Sequence, residues 1–178
     1  MEESVPFLSP DYVLFLFVLL TARGVDFLST WIATPHMVLE GNPVARKLGW
    51  KWGTVVNLAL CFGFALFPLP AIIIATTSVL VAAHNFDGAW LMRSMGENAY
   101  RAWIAARHTE TRPSLYLLCL FSKTALWGVV GAALLSFGGG QVAAIGIGFG
   151  MVGYAIAVLV YSTISVWRLR HMRRNRSY

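Results

Sequence analysis

The apolar positions of this chain fall into long, nearly unbroken runs. They occupy residues 11–33, 52–92, 115–137 and 142–167, and most polar residues lie between them. A helix rises about 1.5 Å per residue, and a bilayer core is about 30 Å thick, so one crossing takes about 20 residues. Three of the runs fit one crossing each. The run 52–92 is too long for one. Pro68-Leu69-Pro70 stands near its middle, and two prolines so close together break a helix and mark a turn. The pattern therefore predicts helices at 11–33, 52–67, 70–92, 115–137 and 142–167. Gly138-Gly139-Gly140 separates the last two. The expected second helix is short for a crossing; it either extends back into Lys51 or sits where the bilayer is thin.

The basic residues test this division. Arg46, Lys47 and Lys51 lie between the first two helices, and Arg93, Arg101, Arg107 and Arg112 between the third and fourth. Arg168, Arg170, Arg173, Arg174 and Arg176 follow the fifth in a basic tail, 168–178. The other connections hold no Lys or Arg. With five crossings all twelve residues share one side, which the positive-inside rule makes cytoplasmic. The expected fold is a single all-α, polytopic membrane bundle with its N-terminus outside and its C-terminus cytoplasmic. Met1-Glu2-Glu3 lacks the positive start of a signal peptide, so the first apolar segment is expected to be retained.

Composition removes the main alternatives. Of 178 residues, 57% are hydrophobic and 12% charged, against about 25% charged in ordinary soluble domains. A soluble enzyme and a disordered chain are both excluded. The net charge of +6 reflects orientation in the membrane and not a nucleic-acid partner. Cys61 and Cys119 stand apart in apolar runs, with no redox or metal spacing.

The informative polar residues are those inside the helices: Arg23, Asp26, Asn57, His84, Asp87 and Lys123. Ionisable groups there are costly and normally face partners. All but Arg23, which sits nearer mid-membrane, are expected in the cytoplasmic half. Asp26, His84 and Asp87 are candidate catalytic residues, and Asn57, Arg93 and Lys123 candidate substrate contacts. His84 and Asp87, at i and i+3, have the spacing of a bundle metal pair or of a plain His–Asp hydrogen bond. With Asp26, Glu40 and Asn42 they are candidate ligands for a divalent cation. Loop salt bridges or helix capping are the structural alternatives for Glu40 and Glu97.

Two segments repeat an order of residue types. One carries Asp26, Trp31, Glu40, Asn42, Arg46 and Trp50; the other carries Asp87, Trp90, Glu97, Asn98, Arg101 and Trp103. This has the form of a parallel duplication. Asp26-x-x-Ser29-Thr30 followed by Glu40-x-Asn42-Pro43 resembles a pattern of small, uncharacterised bacterial and archaeal multi-helix membrane proteins. The resemblance covers about residues 12–90 and implies that Asp26, Thr30, Glu40, Asn42 and Pro43 act as a unit. It implies no activity. Metalloprotease, serine-hydrolase and phosphate-loop motifs are missing. Asp87-Gly88 begins like a CDP-alcohol transferase motif, but the later aspartates are not there.

Three function classes fit. A membrane enzyme acting on a lipid or lipid-linked substrate suits the depth and variety of the polar groups. A cation transporter or channel would use the same acids as a lining. An accessory subunit would use them only to fix helix register. Gly146 and Gly150 have small-x-x-x-small spacing, and with Gly153 on the same helix they serve packing within the chain or a homo-oligomer seam equally well.

Overall fold

A computed structural model describes residues 4–174, with side chains through residue 166 apart from that of Thr109. Met1-Glu2-Glu3 and Arg176 lie outside the described residues, as do the side chains of Arg168, Arg170, Arg173 and Arg174. Among the described residues the fold is all-α, with no strand. Its helices are α1 (Pro10–Ala33), α2 (Pro43–Phe64), α3 (Pro68–Met95), α4 (Glu97–Glu110), α5 (Pro113–Phe137) and α6 (Val142–Arg174). Four of them, α1, α3, α5 and α6, are long and apolar enough to cross a membrane. Their outward faces carry large exposed apolar side chains such as Phe17, Phe121, Leu126 and Val129, as lipid contact requires. The chain is thus a helical bundle of integral-membrane type.

Three boundaries differ from expectation. Pro68 and Pro70 stand inside the first turn of α3, and the turn itself precedes them. First-turn N–H groups lack helical partners in any case, so proline is tolerated there. The α2 helix begins at Pro43, capped by Asn42, whose Oδ1 accepts from Val44 N at 2.9 Å. It is broken at Gly49, which has φ 65° and ψ −176°, a conformation open mainly to glycine. The apolar part beyond the break spans about 22 Å, short of the bilayer core. Third, the expected basic loop after α3 contains α4, an exposed helix outside the apolar stretches.

The main helices pack in the order α2, α1, α3, α6, α5. On α3 the buried stripe Ala71, Ala75, Ser78, Ala82 and Ala89 faces α1. Small residues at this spacing let two backbones approach closely, and close packing holds helices together in lipid. The two helices run parallel, since Arg23 meets Ser78, Asn85 meets Ser29 and Thr30, and Thr34 meets Glu97.

The glycines of α6 serve packing within the chain. A Cβ on Gly146 would come within 2.7 Å of Ile72 Cβ, and one on Gly150 within 2.7 Å of Thr76 Cβ and 3.0 Å of the Ile73 carbonyl. Both therefore seat α6 on α3. A Cβ on Gly148 would come within 2.9 Å of the Gly131 carbonyl of α5, while one on Gly153 would meet open space. We expect Gly150→Val to destabilise the protein by about 1–3 kcal/mol, the usual cost of forced overpacking. Gly153→Val should change little. Equal thermal melts of the two variants in detergent would refute this.

The same contacts align the ends. Residues 69–72 of α3 lie level with Gly146, so the turns at 65–67 and 138–141 share one end. Val5 N donates to Leu66 O at 2.8 Å, which puts the start of the chain there too. Every described basic connection lies at the opposite end.

Candidate functional site

The polar residues inside the helices form two groups on opposite sides of α3. The first is centred on Arg23 of α1. Its Nη1 donates to Asp26 Oδ2 at 2.9 Å and to Ser78 Oγ at 3.1 Å. Its Nε donates to Asn57 Oδ1 at 2.7 Å, and Nη2 donates to the same oxygen. One planar guanidinium thus joins α1, α2 and α3, which a point-like ammonium would not manage. Asn57 is oriented in turn by donating to Gly53 O at 2.8 Å. Arg23 lies with its charge also over the Phe27 ring, 5.9 Å from the centroid.

Beside this centre lies a cavity of about 170 Å³ between α1 and α2. Leu20, Phe27, Leu58 and Cys61 line it together with Arg23, Thr54 and Asn57, and its exposed wall is almost wholly apolar. Gly24 also lines it.

One turn further along, Asn85 Nδ2 donates to the hydroxyls of Ser29 and Thr30, both at 3.2 Å. The expected Asp26-Ser29-Thr30 stripe is therefore engaged from α3. Asn85 and Ser78 were not singled out from the sequence. Their signal was available: both fall on the seven-residue rhythm of the small-residue stripe facing α1.

The second group contains His84, Asp87 and Lys123. Thr77 Oγ1 donates to the Gly150 carbonyl of α6 at 3.2 Å. His84 follows Thr77 by two helical turns and so lies on this side of α3, away from Arg23. Lys123 Nζ on α5 stands 3.1 Å from His84 Nδ1. Asp87 is exposed, within electrostatic range of His84 and of Tyr154 on α6.

Of the remaining expected site residues, Glu40 is within electrostatic range of Asp26, and its hydrogen bond is local. Glu40 Oε1 accepts from Asn42 N at 2.7 Å, and Asn42 caps α2. Glu40-x-Asn42-Pro43 thus acts as a helix start signal. Arg93 stacks on exposed Trp31, 5.6 Å from the ring centroid. Among the described residues no three His, Cys, Asp or Glu side chains are grouped to hold one metal ion. Asp26 is bonded to Arg23 and His84 to Lys123, so each faces a cationic side chain.

Glu97 is the most heavily bonded acid. Its carboxylate accepts from Thr34 Oγ1 at 2.6 Å, His36 N at 2.8 Å, His36 Nδ1 at 2.9 Å and Val38 N at 2.9 Å. It ties the loop after α1 to the start of α4. Glu40, its counterpart in the proposed repeat, makes a local bond only, and Asp26 and Asp87 face different helices. No family model, curated protein or solved structure matches this chain.

Proposed function

We propose that this is a five-span membrane protein, N-terminus outside and C-terminus cytoplasmic, whose Arg23 centre binds the head of a lipid or lipid-linked substrate. The span count is supported by continuity. The chain leaves α1 at Thr34 and returns beside Val5 at Leu66, so α2 covers the same height as α1. The orientation is supported by the gathering of the basic connections at one end. Exposed Trp31, Trp52 and Trp90 fit an interfacial aromatic belt near that end.

The observation that carries the functional reading is the cavity: its exposed wall is almost wholly apolar, and Arg23 and Asn57 are among its lining residues. An acyl or prenyl chain fits the apolar walls, and an anionic oxygen fits the guanidinium. As an enzyme, the protein would use Asp26 beside Arg23 as its acid–base group. His84 and Asp87 lie on the far side of α3 and would act elsewhere.

Gly24→Leu tests this reading. A Cβ at Gly24 meets nothing within 4 Å, so the new side chain fills the cavity without a backbone clash. The expected result is loss of co-purifying lipid by mass spectrometry, with the melting temperature kept. Undiminished lipid would refute the reading. A divalent cation is a separate proposal, tested by the metal content of the purified protein. Homo-oligomerisation through α6 is likewise separate. It would use the open side at Gly153, and Gly153→Leu should weaken it.

A further inference from the structure

The group on the other side of α3 has a chemistry of its own. His84, Asp87 and Lys123 are all exposed, yet they stand on helices that are apolar over a full crossing. Measured from the turn end, His84 lies about 24 Å along α3 and Asp87 about 28 Å; Lys123 lies about 21 Å along α5. In a hydrocarbon layer about 30 Å thick, all three fall close to one boundary. Lys123 can extend its ammonium further toward it. Charges at that depth on an outer face need partners, and no described protein group pairs with Asp87.

Protonation fixes what the group offers. With Lys123 as an ammonium, the 3.1 Å contact to His84 Nδ1 requires a lone pair on that nitrogen. His84 is then neutral, with its hydrogen on Nε2. Lys123 keeps two further N–H donors. The group thus presents ammonium donors from Lys123 and a neutral N–H donor from His84 beside a carboxylate acceptor from Asp87, with no net charge. Its complement is an anion and an N–H-bearing cation joined by a short link.

From this we infer that His84, Asp87 and Lys123 form a headgroup site for phospholipids of the phosphoethanolamine type. Lys123 and His84 hold the phosphate oxygens, and Asp87 accepts from the primary ammonium. A choline headgroup has the same charges but no N–H to donate, and a glycerol headgroup has no cation.

Native mass spectrometry of the full chain in detergent, with added lipid, tests this. Phosphatidylethanolamine should bind about tenfold more tightly than phosphatidylcholine or phosphatidylglycerol, the worth of one charge-assisted hydrogen bond. Asp87→Asn and Lys123→Met should each remove that preference. On the unaltered protein, stepwise N-methylation of the headgroup should weaken binding, a readout that needs no variant to fold. Equal binding of the three lipids, or indifference to methylation, would overturn the assignment. So would a dimer that dissociates in Asp87→Asn while lipid uptake is unchanged, because a second copy would then cover the site.

Discussion

Arg23→Met should destabilise the protein by about 3–5 kcal/mol, the cost of leaving a mostly buried charge without its partner. The side chains of Arg23 and Asp26 are only 28% and 14% exposed. Methionine keeps the length and removes every donor. Asp26, Asn57 and Ser78 then all lose a bond. Hydrogen bonds between membrane helices average about 0.6 kcal/mol, so the neutral contacts alone account for little of the loss. The stranded Asp26 carboxylate dominates. Adding Asp26→Asn to Arg23→Met should therefore recover most of the stability, which a merely steric role for Arg23 does not predict. Arg23→Lys should recover little, because one ammonium does not reach the oxygens of three helices at once. Denaturant titration in mixed micelles measures all three. If the double variant is no more stable than Arg23→Met, the charge argument is wrong.

The membrane character of the fold was legible because the apolar runs are long and the charges few, so hydropathy outweighs other local signals. Helix starts were less legible. Pro68 and Pro70 read equally well as a break and as a first turn, and only the packing of α3 on α1 and α6 decides between them. The α2 helix was placed too late because its first turns carry Arg46, Lys47 and Lys51, which resemble a loop. Asn42-Pro43 was the signal that a helix begins there.

The site was legible in its parts but not in its grouping. Asp26, Asn57, His84 and Lys123 each stand out as polar residues in apolar helices. Depth along the chain gives their height but not which side of α3 they face. That comes from the small-residue stripe, which turns Ser78 and Asn85 toward α1 and leaves His84 toward α6. Arg23 stands out in the sequence as nearer mid-membrane but carries no expected site role, yet it holds the first group together.

Glu97 should make the basic end of the bundle labile to acid. Burial would raise its pKa, but the bonds from Thr34, His36 and Val38 outweigh burial and lower it from 4.5 to about 2. A carboxylate depressed in the folded state stabilises the fold above its unfolded pKa and loses that contribution as pH falls through the folded one. The contribution is therefore complete above pH 4.5 and gone below about 2, amounting to roughly 3 kcal/mol. Glu97→Gln should remove this pH dependence. It should also cost about 2 kcal/mol at neutral pH, since either orientation of its amide turns an NH₂ toward N–H or O–H donors now bonded to the carboxylate. The damage should be local to the loop that Thr34, His36 and Val38 anchor. Hydrogen exchange at residues 34–39 should therefore speed up in the variant while α6 keeps its protection. If wild type and Glu97→Gln exchange alike between pH 4.5 and pH 2, the clamp does not hold this end together.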